Sequence, residues 1–246
     1  MPYIIAPMIR KNAPALWGEG TPYETQVIYD IASDDPKKPP VHYEAHILKP
    51  HSIAHIDAPA HTIKNGAKIT DFFSAEKSGT FFGPIVVVKL KGNHYQPISG
   101  TPNFHWEVSL SQLKQGIQEA AGKDLRPEKL LLTTDPYPGN GDGQQDPAYA
   151  LTLSIEAANW LASFSKFNFY GTSWKSTDFQ PGRRERPIHQ ILFEKGVVCE
   201  CLALKEVPAG QYLLVGFPLP LENSSESPVC PVLFEKDELE KFISQI

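Results

Sequence analysis

Apolar and polar positions follow two rhythms along this chain. The run Pro84-Ile85-Val86-Val87-Val88-Lys89-Leu90-Lys91 is almost continuously apolar and β-branched, which predicts a buried strand. Leu130-Leu131-Leu132-Thr133-Thr134 predicts a second core strand, and residues 167–171, 197–202 and 212–217 predict three more. Residues 23–30 and 41–49 read as more polar strands. The other rhythm is helical. Ser109 and Gln112 form a capping-box signal, Leu110, Leu113, Ile117 and Ala121 share one face, and Gly122 stops the run. Ser154 caps a second helix with Ala157, Ala158, Leu161 and Ala162 buried. Pro187 suits the first position of a third, over residues 188–195, which Gly196 ends. Leu239, Phe242, Ile243 and Ile246 predict a fourth, amphipathic helix on the body or on a partner chain. Interleaved strands and helices give an α/β or α+β class with a mixed core. No repeat or linker divides the chain, so residues 1–246 are expected to form one domain.

The loops carry their own signals. Residues 10–23 hold two glycines and two prolines around Trp17, which either covers the core or lines a pocket. The turn-rich run over residues 135–143 is either a lid or a plain surface loop.

Chemistry concentrates in His51-Ser52-Ile53-Ala54-His55-Ile56-Asp57-Ala58-Pro59-Ala60-His61. Three of the eight histidines of the chain fall in these eleven residues, with one aspartate and otherwise small or apolar side chains. Imidazole nitrogen and carboxylate oxygen are ligands for zinc and also suit manganese or iron. A helix would turn Asp57 away from His51 and His55, and Pro59 forbids a helix interior. A straight strand would put the four side chains on one face but hold His51 and His55 roughly 13 Å apart. The spacing therefore predicts a strand end that bends into a loop at Asp57-Ala58-Pro59. Further on, Glu200 is a lone carboxylate in the apolar run Val197-Val198-Cys199-Glu200-Cys201-Leu202, and a buried Glu is costly unless paired or bound to metal. The alternative is an edge-strand Glu open to water. His189 falls at the start of the third helix, while His42 and His46 flank a solvated turn and are set aside as non-ligands.

Composition narrows the partners. The formal net charge is −5 and no basic run occurs, so neither nucleic acid nor an acidic membrane face is expected. No apolar stretch could span a membrane, and the opening Met1-Pro2-Tyr3-Ile4-Ile5 is too short and proline-broken for a signal peptide. Three cysteines cannot all pair within one chain, and they read as reduced thiols of a cytoplasmic protein.

The histidine stretch resembles the His-x-Gly-Thr-His-x-Asp-Ala-Pro-x-His motif of the cyclase family, which includes bacterial kynurenine formamidases and isatin hydrolases. Ile53 and Ala54 stand where Gly and Thr are usual. Further resemblances follow in order. Trp17-Gly18-Glu19-Gly20-Thr21-Pro22 is similar to a Trp-Pro-Gly-Asp-x-Pro segment, and residues 171–178 to Gly-Ile-Asp-x-x-Ser-x-Asp with Ser173 in place of Asp. His189 and Glu200 match a His-x-x-Leu-Leu…Glu-Asn-Leu pattern. Pro218-Leu219-Pro220-Leu221 with Ser227-Pro228-Val229 matches the closing segment, with Cys230 where Arg is common. The resemblance implies a swivelling β/β/α fold, usually oligomeric as a dimer or tetramer. It implies a divalent metal, zinc or else manganese, one or two ions per chain. His51, His55 and Asp57 would hold one ion, and Asp57, His189 and Glu200 a second. Trp17 would contact a small-molecule substrate, and His61 would act as general acid/base in hydrolysing the amide of an aryl formamide or a cyclic amide. A lyase or cyclase on the same scaffold, or a non-catalytic metal-binding protein, stays open, since one fold hosts many chemistries.

Overall fold

The computed structural model describes residues 1–122, 124–139, 143–179 and 185–245. Fourteen strands are present among them: β1 (Tyr3–Ile4), β2 (Tyr23–Tyr29), β3 (Tyr43–Leu48), β4 (His55–Asp57), β5 (Phe82–Lys91), β6 (Gln96–Pro97), β7 (Phe104–Val108), β8 (Lys129–Asp135), β9 (Tyr149–Leu153), β10 (Phe169–Thr172), β11 (Val197–Glu200), β12 (Gly210–Val215), β13 (Glu226–Pro228) and β14 (Val232–Phe234). The helices are α1 (Leu110–Ala121), α2 (Ile155–Ala162), α3 (Pro187–Phe193) and α4 (Lys236–Ile243).

Nine strands form one mixed sheet in the order β1-β14-β12-β5-β8-β10-β11-β4-β13. Its centre, β5-β8-β10-β11, is parallel, and the flanking pairs are antiparallel. This is why Leu130, Leu131 and Leu132 follow one another in β8 without a polar break: a parallel centre is covered on both faces. Period two then sorts the side chains. Val86, Val88, Leu130 and Leu132 join the core beneath α1, α2 and α3. Ile85, Val87 and Leu131 point the other way, into a second core with Ile5, Ile56, Phe81 and Leu204. On the first face α1 lies so close to β5 that a Cβ at Gly116 would stand 2.5 Å from Val88 Cγ1.

The helix signals are realised in detail. Ser109 and Gln112 close the expected capping box, and Gly122 ends α1 in the left-handed region at φ 70°. The Ser154 hydroxyl accepts from the Ala157 amide. Smaller sheets lie outside the main one: the β2-β3 hairpin, and β6-β7-β9, whose parallel β7-β9 pair the apolar pattern did not announce. On α4, Phe242 and Ile243 stay exposed, so its apolar face is open; Ile246 lies outside the described residues. Within the 135–143 loop, residues 140–142 also lie outside them. No described helix is long and apolar enough to cross a membrane.

Candidate metal centre

The site forms at the carboxyl end of the parallel strands, where open α/β sheets commonly place ligands. Three neighbouring strands, the turns at both ends of β4, and α3 supply it. In the ladder Glu200 lies opposite His55, Val198 opposite Asp57, and Glu226 of β13 opposite Asp57 from the other side. His55 and Asp57, two apart on β4, share a face by the pleat. The bend expected at Asp57 is instead double. A short 3₁₀ turn over Pro50–Ser52 precedes β4, and a second over Pro59–His61 follows it. The first turn removes the extended separation, leaving His51 Nδ1 only 3.1 Å from His55 Nε2. The second brings His61 back over the strand, with Nε2 4.0 Å from Asp57 Oδ2. Proline opens each turn, since its fixed φ suits the first position and its missing N–H costs nothing there.

The donor atoms converge. His51 Nδ1 is 3.8 Å from Asp57 Oδ1, His55 Nε2 is 3.5 Å from Asp57 Oδ2, and His55 Nε2 is 3.6 Å from Glu200 Oε2. His189 Nε2 stands 3.2 Å from Glu200 Oε1 and 3.9 Å from Asp57 Oδ2. An ion about 2.0–2.1 Å from each ligand atom holds those atoms roughly 3.0–3.4 Å apart, so small movements would close the set around one. Two overlapping groups have ligand geometry and share Asp57: His55, Asp57 and Glu200, all buried, and His51, Asp57, His61 and Glu226.

The pattern of hydrogen bonds fits an ion. Both Asp57 carboxylate oxygens and His189 Nε2 are buried without a hydrogen-bond partner among the described residues. Such orphaned polar atoms are costly unless something else satisfies them. The opposite ring nitrogens are occupied. His189 Nδ1 is 2.6 Å from Asp178 Oδ2, and His55 Nδ1 is 2.8 Å from the Ile53 carbonyl. A proton on each Nδ1 leaves Nε2 with its lone pair aimed into the cluster, the arrangement usual for ligating histidines. Electrostatics agree. Burial alone would lower the His55 pKa, yet the Asp57 carboxylate outweighs it and holds His55 well above the usual value. His189 is raised in the same way, against burial, by Glu200 first and then Asp178 and Asp57. Burial would raise the Asp57 pKa, but His55 and His189 hold it well below the carboxylate range. A divalent ion could therefore stand where these imidazolium protons stand.

Asp178 organises α3 as well as His189. Its Oδ1 accepts from the Ile188 amide and its Oδ2 from the His189 amide, both at 3.0 Å. The helix has no capping side chain of its own at Arg186, so a carboxylate eleven residues upstream of His189 satisfies its first amides. Asp178→Asn should lower metal affinity about 10–100-fold, the usual cost of losing a partner of a ligating histidine. It should also lower the melting temperature. Metal titration of the variant, beside a thermal melt, checks both.

Each residue singled out in the sequence can now be located. His51, His55, Asp57, His61, His189 and Glu200 come together, and Glu200 is only 3% exposed. Trp17 remains 44% exposed, and its indole N–H donates to the His51 carbonyl at 3.1 Å. Its loop is tied to the histidine stretch: the Leu16 amide donates to Ser52 Oγ at 2.8 Å, and the Ser52 hydroxyl donates to Glu19. Ser173 faces neither group of ligands; it joins a buried chain with Thr133 and Gln145. Cys201 takes φ 61° just after β11, in the left-handed region that Asn favours more than Cys. His42 and His46 pair with Glu44 and Tyr23, away from the cluster. Glu226 and the capping role of Asp178 went unnoticed. Glu226 sits in a polar Ser-rich stretch that gives no warning, whereas the missing cap at α3 was a usable sign of an outside partner.

A family model described as "Putative cyclase" matches residues 9–178. The kynurenine formamidase of Paracidovorax citrulli (strain AAC00-1) is 27% identical over 231 residues, covering 93% of this chain and 94% of that one. Among solved structures, a predicted metal-dependent hydrolase from Bacillus stearothermophilus superposes with a TM-score of 0.65 at 20% identity, over 95% of this chain and 97% of that one. Isatin hydrolase A from Ralstonia solanacearum gives 0.66 at 21% identity, over 96% and 92%. These two likenesses carry the fold, a mixed α/β sheet with flanking helices.

Proposed function

The chain belongs to the cyclase family, and on that premise we propose that it is a metal-dependent hydrolase of an amide C–N bond, acting on an aryl formamide or a cyclic amide. The observation that supports this most is the convergence of His51, His55, Asp57, His189 and Glu200 on buried carboxylate and imidazole atoms left without hydrogen bonds. The names of the formamidase and hydrolase relatives point the same way. When bound, a divalent ion supplies a Lewis acid for the carbonyl oxygen and lowers the pKa of water. Zinc is the proposed ion, with manganese second, at one or two per chain. The sharing of Asp57 by both ligand groups favours two.

The residues of the chain would do the rest. Asp178 and the Ile53 carbonyl fix which nitrogens of His189 and His55 face the centre. His61, partly exposed at the rim, would take a proton from the attacking water and return one to the leaving amine. Trp17, whose indole is anchored on the His51 carbonyl, would hold the substrate ring. The protein is read as a single domain over 1–246, cytoplasmic, and a homo-oligomer, dimer or tetramer. Exposed Val27, Ile28 and Ile47 on the β2-β3 hairpin favour assembly, and three free cysteines suit a reducing compartment.

Elemental analysis of the purified protein, joined to an assay of N-formylkynurenine and isatin in ¹⁸O-labelled water, tests the reading. One or two zinc or manganese ions per chain and ¹⁸O in the carboxylic product are expected. Bound metal with turnover but no ¹⁸O incorporation would assign a lyase or cyclase instead.

A further inference from the structure

Beside the metal centre lies a cavity of about 480 Å³, and its lining is unlike the rest of the site. Three aromatic side chains, Trp17, Trp174 and Phe179, and two cations, Lys175 and Arg186, contribute to its wall. The cavity adjoins the centre twice. Asp178, in its wall, holds His189, and Trp17 is bonded to the backbone of His51.

The two cations are underused. Lys175 Nζ donates to the Leu16 carbonyl at 2.7 Å and lies 4.2 Å from the centroid of the Trp17 ring. Arg186 donates to Ser176 Oγ at 3.2 Å, and its guanidinium carbon is 5.6 Å from the same ring. Among the described residues neither has a carboxylate within ion-pair reach. The acidic side chains in the wall are engaged elsewhere: Asp178 with the start of α3, and Asp146 with the Ala148 amide at 2.9 Å. An ammonium can donate three hydrogen bonds and a guanidinium five, so several donors remain. Burial also lowers the Lys175 pKa, a cost that a bound anion would offset.

We propose that this cavity is a subsite for a carboxylate carried on an aryl ring, with Lys175 and Arg186 taking the carboxylate and Trp17, Trp174 and Phe179 flanking the ring. The assignment rests on the aryl amide reading above and narrows it to anionic aryl amides. A neutral ring could use the aromatic walls, but it would leave Arg186 without a carboxylate and Lys175 with only Glu19, which lies beyond ion-pair distance. A phosphate would satisfy the charges but not the three aromatic faces. Planar guanidinium suits a planar carboxylate, and an ammonium meets the same charge as a point donor.

The metal-loaded protein should be given formanilide and 3-formamidobenzoate, with Trp fluorescence titrations of benzoate and benzamide alongside. The carboxylate-bearing member of each pair should be preferred. Lys175→Gln and Arg186→Gln should each cut that preference about tenfold, chiefly through KM and Kd. Lys175→Arg should restore most of it. Equal binding of benzoate and benzamide would overturn the subsite, and so would benzoate binding unchanged in both Gln variants, which would place the carboxylate on the metal. Hydrolysis of both formamides without preference would leave the hydrolase reading standing and sink the subsite. Neither formamide cleaved, with benzoate preferred and the preference lost in the variants, would do the reverse.

Discussion

Asp57→Asn should leave the protein folded and largely without metal. Asp57 is fully buried, is common to both candidate ligand groups, and lies within 4.0 Å of His51, His55, His61 and His189 alike. Asparagine keeps the shape but loses the charge that binds a cation. Losing a partner of a ligating histidine costs about 10–100-fold, so losing a shared ligand should cost at least about 100-fold in affinity and turnover. The fold should survive for a specific reason. Stranding a buried ion costs about 3–5 kcal/mol, but His55 can shed the proton that Asp57 holds on it, and His189 keeps Glu200 and Asp178 as partners, so no charge need be stranded. Elemental analysis after gel filtration, with a circular dichroism melt, reads both parts. Full metal content in the variant would remove Asp57 from the centre of the scheme.

His61→Ala and His51→Ala should part company. His51 Nδ1 lies within 3.8 Å of two other candidate ligand atoms and is half-enclosed. The side chain of His61 is no more open than that of His51, and its ring lies 4.7 Å from that of His51, but its Nε2 approaches the cluster only at 4.0 Å, from Asp57 Oδ2. His61→Ala is expected to keep its metal and lose about 10²–10⁴-fold in kcat, the usual worth of general acid–base help. His51→Ala is expected to lose metal and activity together. The structure raises the stakes of this comparison, because His61 also belongs to the ligand group with Glu226. If His61→Ala comes off the column empty, His61 is a ligand and the proton carrier lies elsewhere. A matching loss in Glu226→Gln would then complete that second group.

Much of this molecule was legible in one dimension. β5, β8 and β11 announced themselves because a strand covered on both faces must be apolar at every position, and α1 because a cap, a stripe and a stop coincide. Glu200 stood out for the same reason inverted: a carboxylate inside such a run needs a partner. Local rules reach only that far. They predicted one bend at Asp57, where the chain makes two 3₁₀ turns, because proline marks that a backbone turns but not how two turns around a three-residue strand will stack. They missed β7 and β9, whose pairing joins segments about forty residues apart, and neither strand is apolar enough to be read alone.

The sequence by itself determined which side chains are capable of the chemistry: three histidines and Asp57 packed into eleven residues, His189 and Glu200 much further along the chain, and a tryptophan among glycines. Only the tertiary structure decided that they meet. Strand β11 lies between β10 and β4, Glu200 faces His55 in the register, and Asp178 reaches across to cap α3 and hold His189. It also decided that Lys175 and Arg186 share one aromatic wall, which nothing in their spacing of eleven implies. The reason is physical. Ligand chemistry is a property of a side chain, whereas register and convergence come from burying both faces of the sheet at once. That constraint acts on the whole chain and leaves no mark on any single stretch of it.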